Sequence, residues 1–373
     1  MRFTINKNKF LKALLLASHG IGAKNPIPQL MCFKIEMAQD QLEITSSNDD
    51  LAVFTRILVK ENDRENIRNY ALGTVLVNAH ILTEIVRKLG GSELSFEVID
   101  ERMAKIDDGN GTYKLVCMPA DEYPDIDMER IGTPLTITST DLAKLVDMTA
   151  FAALDKETRR VLMSINLKAE AGSLVATATD SARLSRKSVA IDPSARVSVN
   201  IPAKTLVDVV KMFENNYEVE LSAGAKRAVM SFGDTMVSCR VIDENYPVSS
   251  SIIPQIFNAS LEVNSTELLT SIDRVSTLSS DRAAVVKLSM SSEDVELSSS
   301  SDQNGTGTER LGAVNYEGER LEIAFNAMFV TQAVRALGSE DVVLKFIGEM
   351  KPFVIENPKD DTVIELITPM RTR

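Results

Sequence analysis

Three stretches of this chain are versions of one unit. They are residues 78–89 (NAHILTEIVRKL), 202–213 (PAKTLVDVVKMF) and 326–337 (NAMFVTQAVRAL), and their starting points stand 124 residues apart. A period of that length is the size of a small domain rather than of a solenoid repeat, so it fixes the architecture before any residue-level reading. A chain of 373 residues is also too long for one ordinary core. Three copies of one fold follow, and with them a geometric object in preference to a lone catalytic pocket.

Each unit opens with an alternating strand that runs into a helix. Phe3, Thr4 and Ile5 lead to Phe10 and Leu14; Leu135, Thr136 and Ile137 lead to Leu142 and Val146; Leu261, Glu262 and Val263 lead to Leu268 and Ile272. The later apolar pairs are four apart and share one helical face. Asn6, Ser139-Thr140-Asp141 and Ser265-Thr266-Glu267 supply capping chemistry at the helix starts. Strand pairs are expected at 32–37 with 41–45, 161–167 with 173–179, and 285–290 with 294–299. Further strands then turn at Gly109-Asn110-Gly111, Gly233-Asp234 and Asn357-Pro358. The first two units end in matching Tyr123-Pro124 and Tyr246-Pro247 pairs, while the serine run 298–301 with its polar continuation reads as a solvated turn. The expected class is α+β: three repeated domains, 1–129, 130–255 and 256–373, each with two helices packed on antiparallel sheet.

The second helix of each unit carries an i, i+3, i+4, i+7 apolar stripe, for example Leu82, Ile85, Val86 and Leu89. Arg87, Lys211 and Arg335 occupy one repeat position, roughly 140–150° round the helix from that stripe. The six expected helices together carry +4, which leaves −16 on the rest of a chain whose net charge is −12. Helices gathered on one surface would therefore attract a polyanion that the rest of the molecule repels. Such contact is salt-dependent and blind to base sequence.

Other function classes are poorly served. Cys32, Cys117 and Cys239 are odd in number and far apart, with no CxxC pair, which argues against disulfides or a zinc site and for a reducing cytoplasm. His19 and His80 have no partner pattern, and no P-loop, HExxH, GxSxG or Rossmann fingerprint occurs. Gly20-Ile21-Gly22 is too little for a phosphate cradle. Residues 10–17 (FLKALLLA) imitate a secretory signal, but Lys12 interrupts the run and the segment recurs inside the chain. No apolar stretch approaches the length of a membrane span. No metal, cofactor or catalytic constellation is expected.

Residues along the whole length carry a family resemblance. MRFTI at 1–5, ATDSARL at 178–184, DENYPVSSSIIP at 243–254, KPFVIENP at 351–358 and LITPMRTR at 366–373 appear in that order on the triplicated background. In these the chain resembles the bacterial sliding clamps, the beta subunits of DNA polymerase III. The resemblance implies a head-to-tail homodimer in which three domains from each chain close a six-domain ring, with helices lining the hole. It implies a non-enzymatic processivity factor on double-stranded DNA, with Lys9, Lys12, Lys24, Arg87, Lys88, Arg160, Lys204, Lys211 and Arg335 as DNA-binding candidates. It also implies a pocket where the replicative polymerase, the clamp loader and other partners dock peptide motifs. The matching positions are Leu162, Thr179, Ser181, Ala182, Arg183, Leu184, Pro247, Ile252, Leu366, Thr368, Pro369, Met370 and Arg371. Leu278 matches a position at the subunit interface. A scaffold with the same ring and pocket that does not encircle DNA remains the alternative at this stage.

Overall fold

A computed structural model describes residues 1–371, apart from positions 157, 215, 249, 250, 280–283 and 313. The ending Thr372-Arg373 and part of the 243–254 motif therefore lie outside the described residues. Six α-helices are present among them: α1 (Lys7–Ser18), α2 (Ala79–Lys88), α3 (Ser139–Asp147), α4 (Ala203–Val210), α5 (Ser265–Ser276) and α6 (Ala327–Leu337). They fall where the apolar stripes place them, two per repeat.

The chain divides into two compact units, Met1–Thr140 with Asp208–Val241 and Asp141–Val207 with Ile242–Arg373. The first unit holds a 13-stranded antiparallel sheet. Its strands from the first repeat continue through Leu51–Leu58 into Thr235–Arg240 of the second, with Val53 opposite Val237. Helix α1 buries Phe10, Ala13, Leu14 and Ala17, which is the stripe spacing of a helix packed on a sheet. Phe3 stacks on Phe96 at 5.0 Å and meets Phe10 edge-on at 5.6 Å. Lys7 Nζ donates to Leu89 O at 2.6 Å, so the end of α2 is closed from the start of α1.

The second unit holds a nine-stranded and a four-stranded sheet, with α5 and α6 over one core that includes Leu268, Ile272, Val330 and Val334. The remaining strands of the second repeat, from Ser164–Glu170 to Ser198–Pro202, join this unit. Arg183–Ala190 pairs with Asp360–Ile367, with Leu184 opposite Leu366. Sheets thus run across the repeat boundaries.

Local chemistry explains most helix starts. Asn6 accepts from the N–H of Asn8 and Lys9, Asn78 from Ile81, and Asn326 from Met328. The start of α5 differs from expectation: its cap is Asn264, bonded to the N–H of Thr266 (3.1 Å) and Glu267 (3.2 Å), one residue before the Ser265-Thr266-Glu267 run. Ser265 is buried in the first turn instead. Replacing Asn264 with Ala is expected to cost about 1 kcal/mol, read as a lowered denaturation midpoint.

Three further expectations are corrected. Residues 161–163 are not strand but belong to a 3-10 turn, Arg160–Met163, closed by Ser164 Oγ donating to Val161 O at 2.5 Å. Helix α4 ends at Val210, three residues short of the end of the 202–213 segment; Met212 N bonds Val209 O in a tighter turn after it. The serine run is the end of strand Val295–Ser301: all four serines pair with residues 305–308 and Ser298 also pairs with Lys287, because ladder bonds outweigh the weak β-propensity of serine. Gly20 has a packing role. A Cβ there would stand 2.3 Å from Ser46 Oγ and 3.0 Å from Ser46 O, where the end of α1 touches the sheet.

Candidate DNA surface and partner pocket

All nine candidate cations are exposed. Lys9, Lys12, Arg87, Lys88, Lys204 and Arg335 stand on α-helices, whereas Lys24 and Arg160 do not. Lys211, expected on the second helix of its repeat, follows the end of α4. Most are already engaged. Lys9 Nζ bonds Asn66 Oδ1 at 2.5 Å and lies 3.7 Å from Glu61. Lys12 pairs with Glu214, and that bond, outweighing desolvation, raises its pKa. Arg87 pairs with Glu84, which Lys88 also reaches at 3.1 Å. Lys204 meets Asp155 at 3.5 Å and Lys211 meets Asp208 at 3.1 Å. Among the described residues, Lys24, Arg160 and Arg335 make no ion pair. Exposed pairs of this kind contribute at most about 1 kcal/mol and are screened by salt, so a phosphate can take the place of the carboxylate. Lys9 and Lys12 also overhang a cavity of about 270 Å³ floored by Ala13, Leu16, Ile57, Met212 and Phe232. His19 is held below its usual pKa by burial, with Lys211 acting in the same sense against Asp208.

The pocket candidates all belong to the second unit. Leu184 and Leu366, opposite each other on paired strands, form a small apolar cluster with Ile253 and Val354. Of the other candidates, Ile252 is 49% exposed and adjoins Ile253 in the chain, Thr179, Ala182, Pro247, Pro369 and Met370 are half-buried, and Ser181, Thr368 and Arg371 are exposed. Leu162 is buried in the 3-10 turn. The tail is tied down by Thr368 N to Ala182 O at 2.9 Å and by Met370 N to Ala324 O, on strand Leu321–Asn326, at 2.7 Å. The turn at 180–182 places Ser181 at φ 80°, and Asp180 Oδ1 accepts from the N–H of Ala182 and Arg183 at 2.9 and 3.0 Å.

Arg183 stands apart from the other candidates. Strand alternation sends it to the sheet face opposite Leu184. There it is 8% exposed, bonded to Asp180, Gln332 and the Phe151 carbonyl, with its guanidinium 4.5 Å from the Phe329 ring centroid. Its charge is therefore not presented to the apolar cluster.

Glu365 was missed from the sequence, although it is the one charged residue in the run Val363, Ile364, Glu365, Leu366, Ile367. It is 1% exposed. Ser185 Oγ lies 2.5 Å from Met148 O and 2.8 Å from Glu365 Oε1. A hydroxyl has one proton, and the carbonyl can only accept. If Ser185 donates to Met148, Glu365 must donate to Ser185 and is a neutral carboxylic acid. Burial likewise pushes its pKa well up, against the opposing influence of Ser185 and Arg183. A carboxyl with a folded pKa above its unfolded one loses stability as pH climbs from the unfolded value to the folded one. Glu365→Gln is accordingly expected to match the parent's denaturation midpoint near pH 4 and to exceed it at neutral pH, since the parent alone has a carboxyl to ionise.

The comparisons with known proteins bear on the whole length. Family models of the N-terminal, central and C-terminal domains of the DNA polymerase III beta subunit match residues 1–127, 136–248 and 250–371. The beta sliding clamp of Bacillus subtilis is 32% identical over 377 residues, covering all of both chains.

The chain belongs to the DNA polymerase III beta subunit family.

Solved members of this beta-clamp family agree in fold over their full lengths. The Bacillus subtilis DNA polymerase sliding clamp superposes with a TM-score of 0.95 at 31% identity, and the beta chain from Streptococcus pneumoniae with 0.95 at 29%, each covering 100% of both chains. The triplication is thus a set of three clamp domains with mixed helices and antiparallel sheets. No helix among the described residues is long and apolar enough to cross a membrane.

Proposed function

We propose that this chain is a sliding clamp: a non-catalytic processivity factor that encircles double-stranded DNA without regard to sequence. It tethers the replicative polymerase and receives the clamp loader and other clamp-motif proteins. Its domains are 1–129, 130–255 and 256–373, and two chains close a ring. The observation that carries this reading is the full-length agreement with sliding clamps at a TM-score of 0.95. The exposed cation that recurs at Arg87, Lys211 and Arg335 supplies the physical means. Topological linkage lets a ring hold DNA through weak, screened phosphate contacts that still permit sliding, whereas tight base contacts would stop it.

Two free sheet edges support a head-to-tail dimer. Strand Thr112–Met118 pairs with its neighbour Gly73–Asn78 only at Cys117 and Met118, so its first part presents an open edge carrying Tyr113 and Val116, the latter 76% exposed. Strand Gly305–Arg310 is the edge of the four-stranded sheet, and Leu278 packs against it, within 2.7 Å of where a Cβ on Gly307 would stand. Edges of this kind invite pairing with another chain, and a heterologous contact that closes makes a ring. Val116→Asp combined with Leu278→Asp is expected to give a monomer by light scattering; a variant that stays dimeric would place the interface elsewhere.

The setting is the cytoplasm. The free thiols are buried, with Cys32 pushed up to about 11 and Cys239 to about 12, so they are kept as inert neutral groups. Mass measurement with low-resolution imaging tests the proposal as a whole: a dimeric ring with a central hole is expected, and a solid particle or a stable monomer would refute it.

A further inference from the structure

Behind the partner pocket lies an arrangement of buried polar groups that the pocket residues do not explain. The Arg183 guanidinium is enclosed, yet every side of it is met. Nε donates to Asp180 Oδ2 at 3.0 Å, Nη1 to Gln332 Oε1 and Nη2 to Phe151 O at 2.5 Å, while the rings of Phe329 and Phe151 lie 4.5 and 5.3 Å away. Asp180 holds the backbone of the next turn at the same time, through the N–H of Ala182 and Arg183. Ala182 O in turn accepts from Thr368 N, at the start of the tail. A continuous chain of bonds therefore runs from Gln332 on α6 through Arg183 and Asp180 to Ala182 and Thr368, next to the paired strands that carry Leu184 and Leu366. A buried charged donor left without its acceptor is costly, so loss of one link displaces the others.

We propose that Gln332 and Asp180 are positioning residues of the partner pocket, which fix the Arg183 guanidinium and through it the 179–184 turn in the shape that receives a partner peptide. The proposal rests on the partner-pocket reading above. It makes an acceptor on α6, one helical turn before the exposed Arg335, a determinant of binding on the opposite face of the sheet. Gln332 need not touch the peptide to do this.

The test uses the full-length protein and a fluorescein-labelled pentapeptide carrying two leucines and a C-terminal phenylalanine. Gln332→Leu removes the acceptor at similar size, and Gln332→Glu keeps one. Peptide affinity is expected to fall about 5- to 20-fold in Gln332→Leu, as for a lost bond to a buried charge, and to stay within about 2-fold of the parent in Gln332→Glu. Asp180→Ala should behave as Gln332→Leu does. Lifetime on nicked circular DNA should be unchanged in all three. Parent-like peptide binding by Gln332→Leu and Asp180→Ala would overturn the proposal. So would a parallel loss of peptide binding and DNA retention, the mark of general structural support. A parent protein that does not bind the peptide would remove the pocket reading itself, and this proposal with it.

Discussion

Exchanging Lys12, Lys24, Arg87 and Lys211 together for glutamate is expected to shorten the lifetime of the loaded protein on nicked circular DNA about tenfold or more. The plot of log affinity against log salt should flatten by about 3.6, since each of the four phosphate contacts contributes roughly 0.9 to that slope. The exposed ion pairs set the direction. Lys12, Arg87 and Lys211 each stand beside a carboxylate, Glu214, Glu84 and Asp208. In the parent, a phosphate replaces the carboxylate at small cost. In the variant, two like charges sit together and repel both each other and the DNA. The affinity for the labelled pentapeptide should not change, because none of the four residues is in the peptide surface. An unaltered lifetime and salt slope would favour a scaffold that never encircles DNA.

Pocket truncation is expected to give the complementary result. Ile252→Ala with Met370→Ala removes two apolar candidates of the pocket, one 49% exposed and the other half-buried, so the fold is little affected. Small apolar sites concentrate their energy in a few such side chains. A loss of about 100-fold in pentapeptide affinity is expected, with DNA lifetime unaltered. Polymerase processivity on the loaded ring should fall in step. Peptide binding within threefold of the parent would place the docking site on another surface.

Local signals in the sequence were enough for the helices. The stripe Phe10, Ala13, Leu14, Ala17 is helical by spacing alone, and the asparagine before α1 marks its start. The repeat located the others by analogy. What the residues could not disclose is pairing over long distances. Leu51–Leu58 with Thr235–Arg240, and Arg183–Ala190 with Asp360–Ile367, are sheet neighbours separated by more than 170 residues, and neither strand carries a mark of its partner. That pairing sets what the pocket is made of, since it brings Leu184 to Leu366. It also sends Arg183 to the other face, where a motif read as one block had placed it with its neighbours. The basic positions were legible as exposed, whereas their carboxylate partners were not: Glu214 lies 202 residues beyond Lys12 and has no periodic relation to it. Glu365 could have been found, because a single acid inside an apolar strand signals a buried polar contact.

The central claim is linkage by topology. The decisive measurement loads the protein onto nicked circular DNA with a bacterial clamp loader and follows its retention on a sizing column before and after one restriction cut. Retention on the circle and loss within the time of sliding off once the DNA is linear are the results expected of a closed ring. Equal retention on circular and linear DNA, or none on either, would contradict the account.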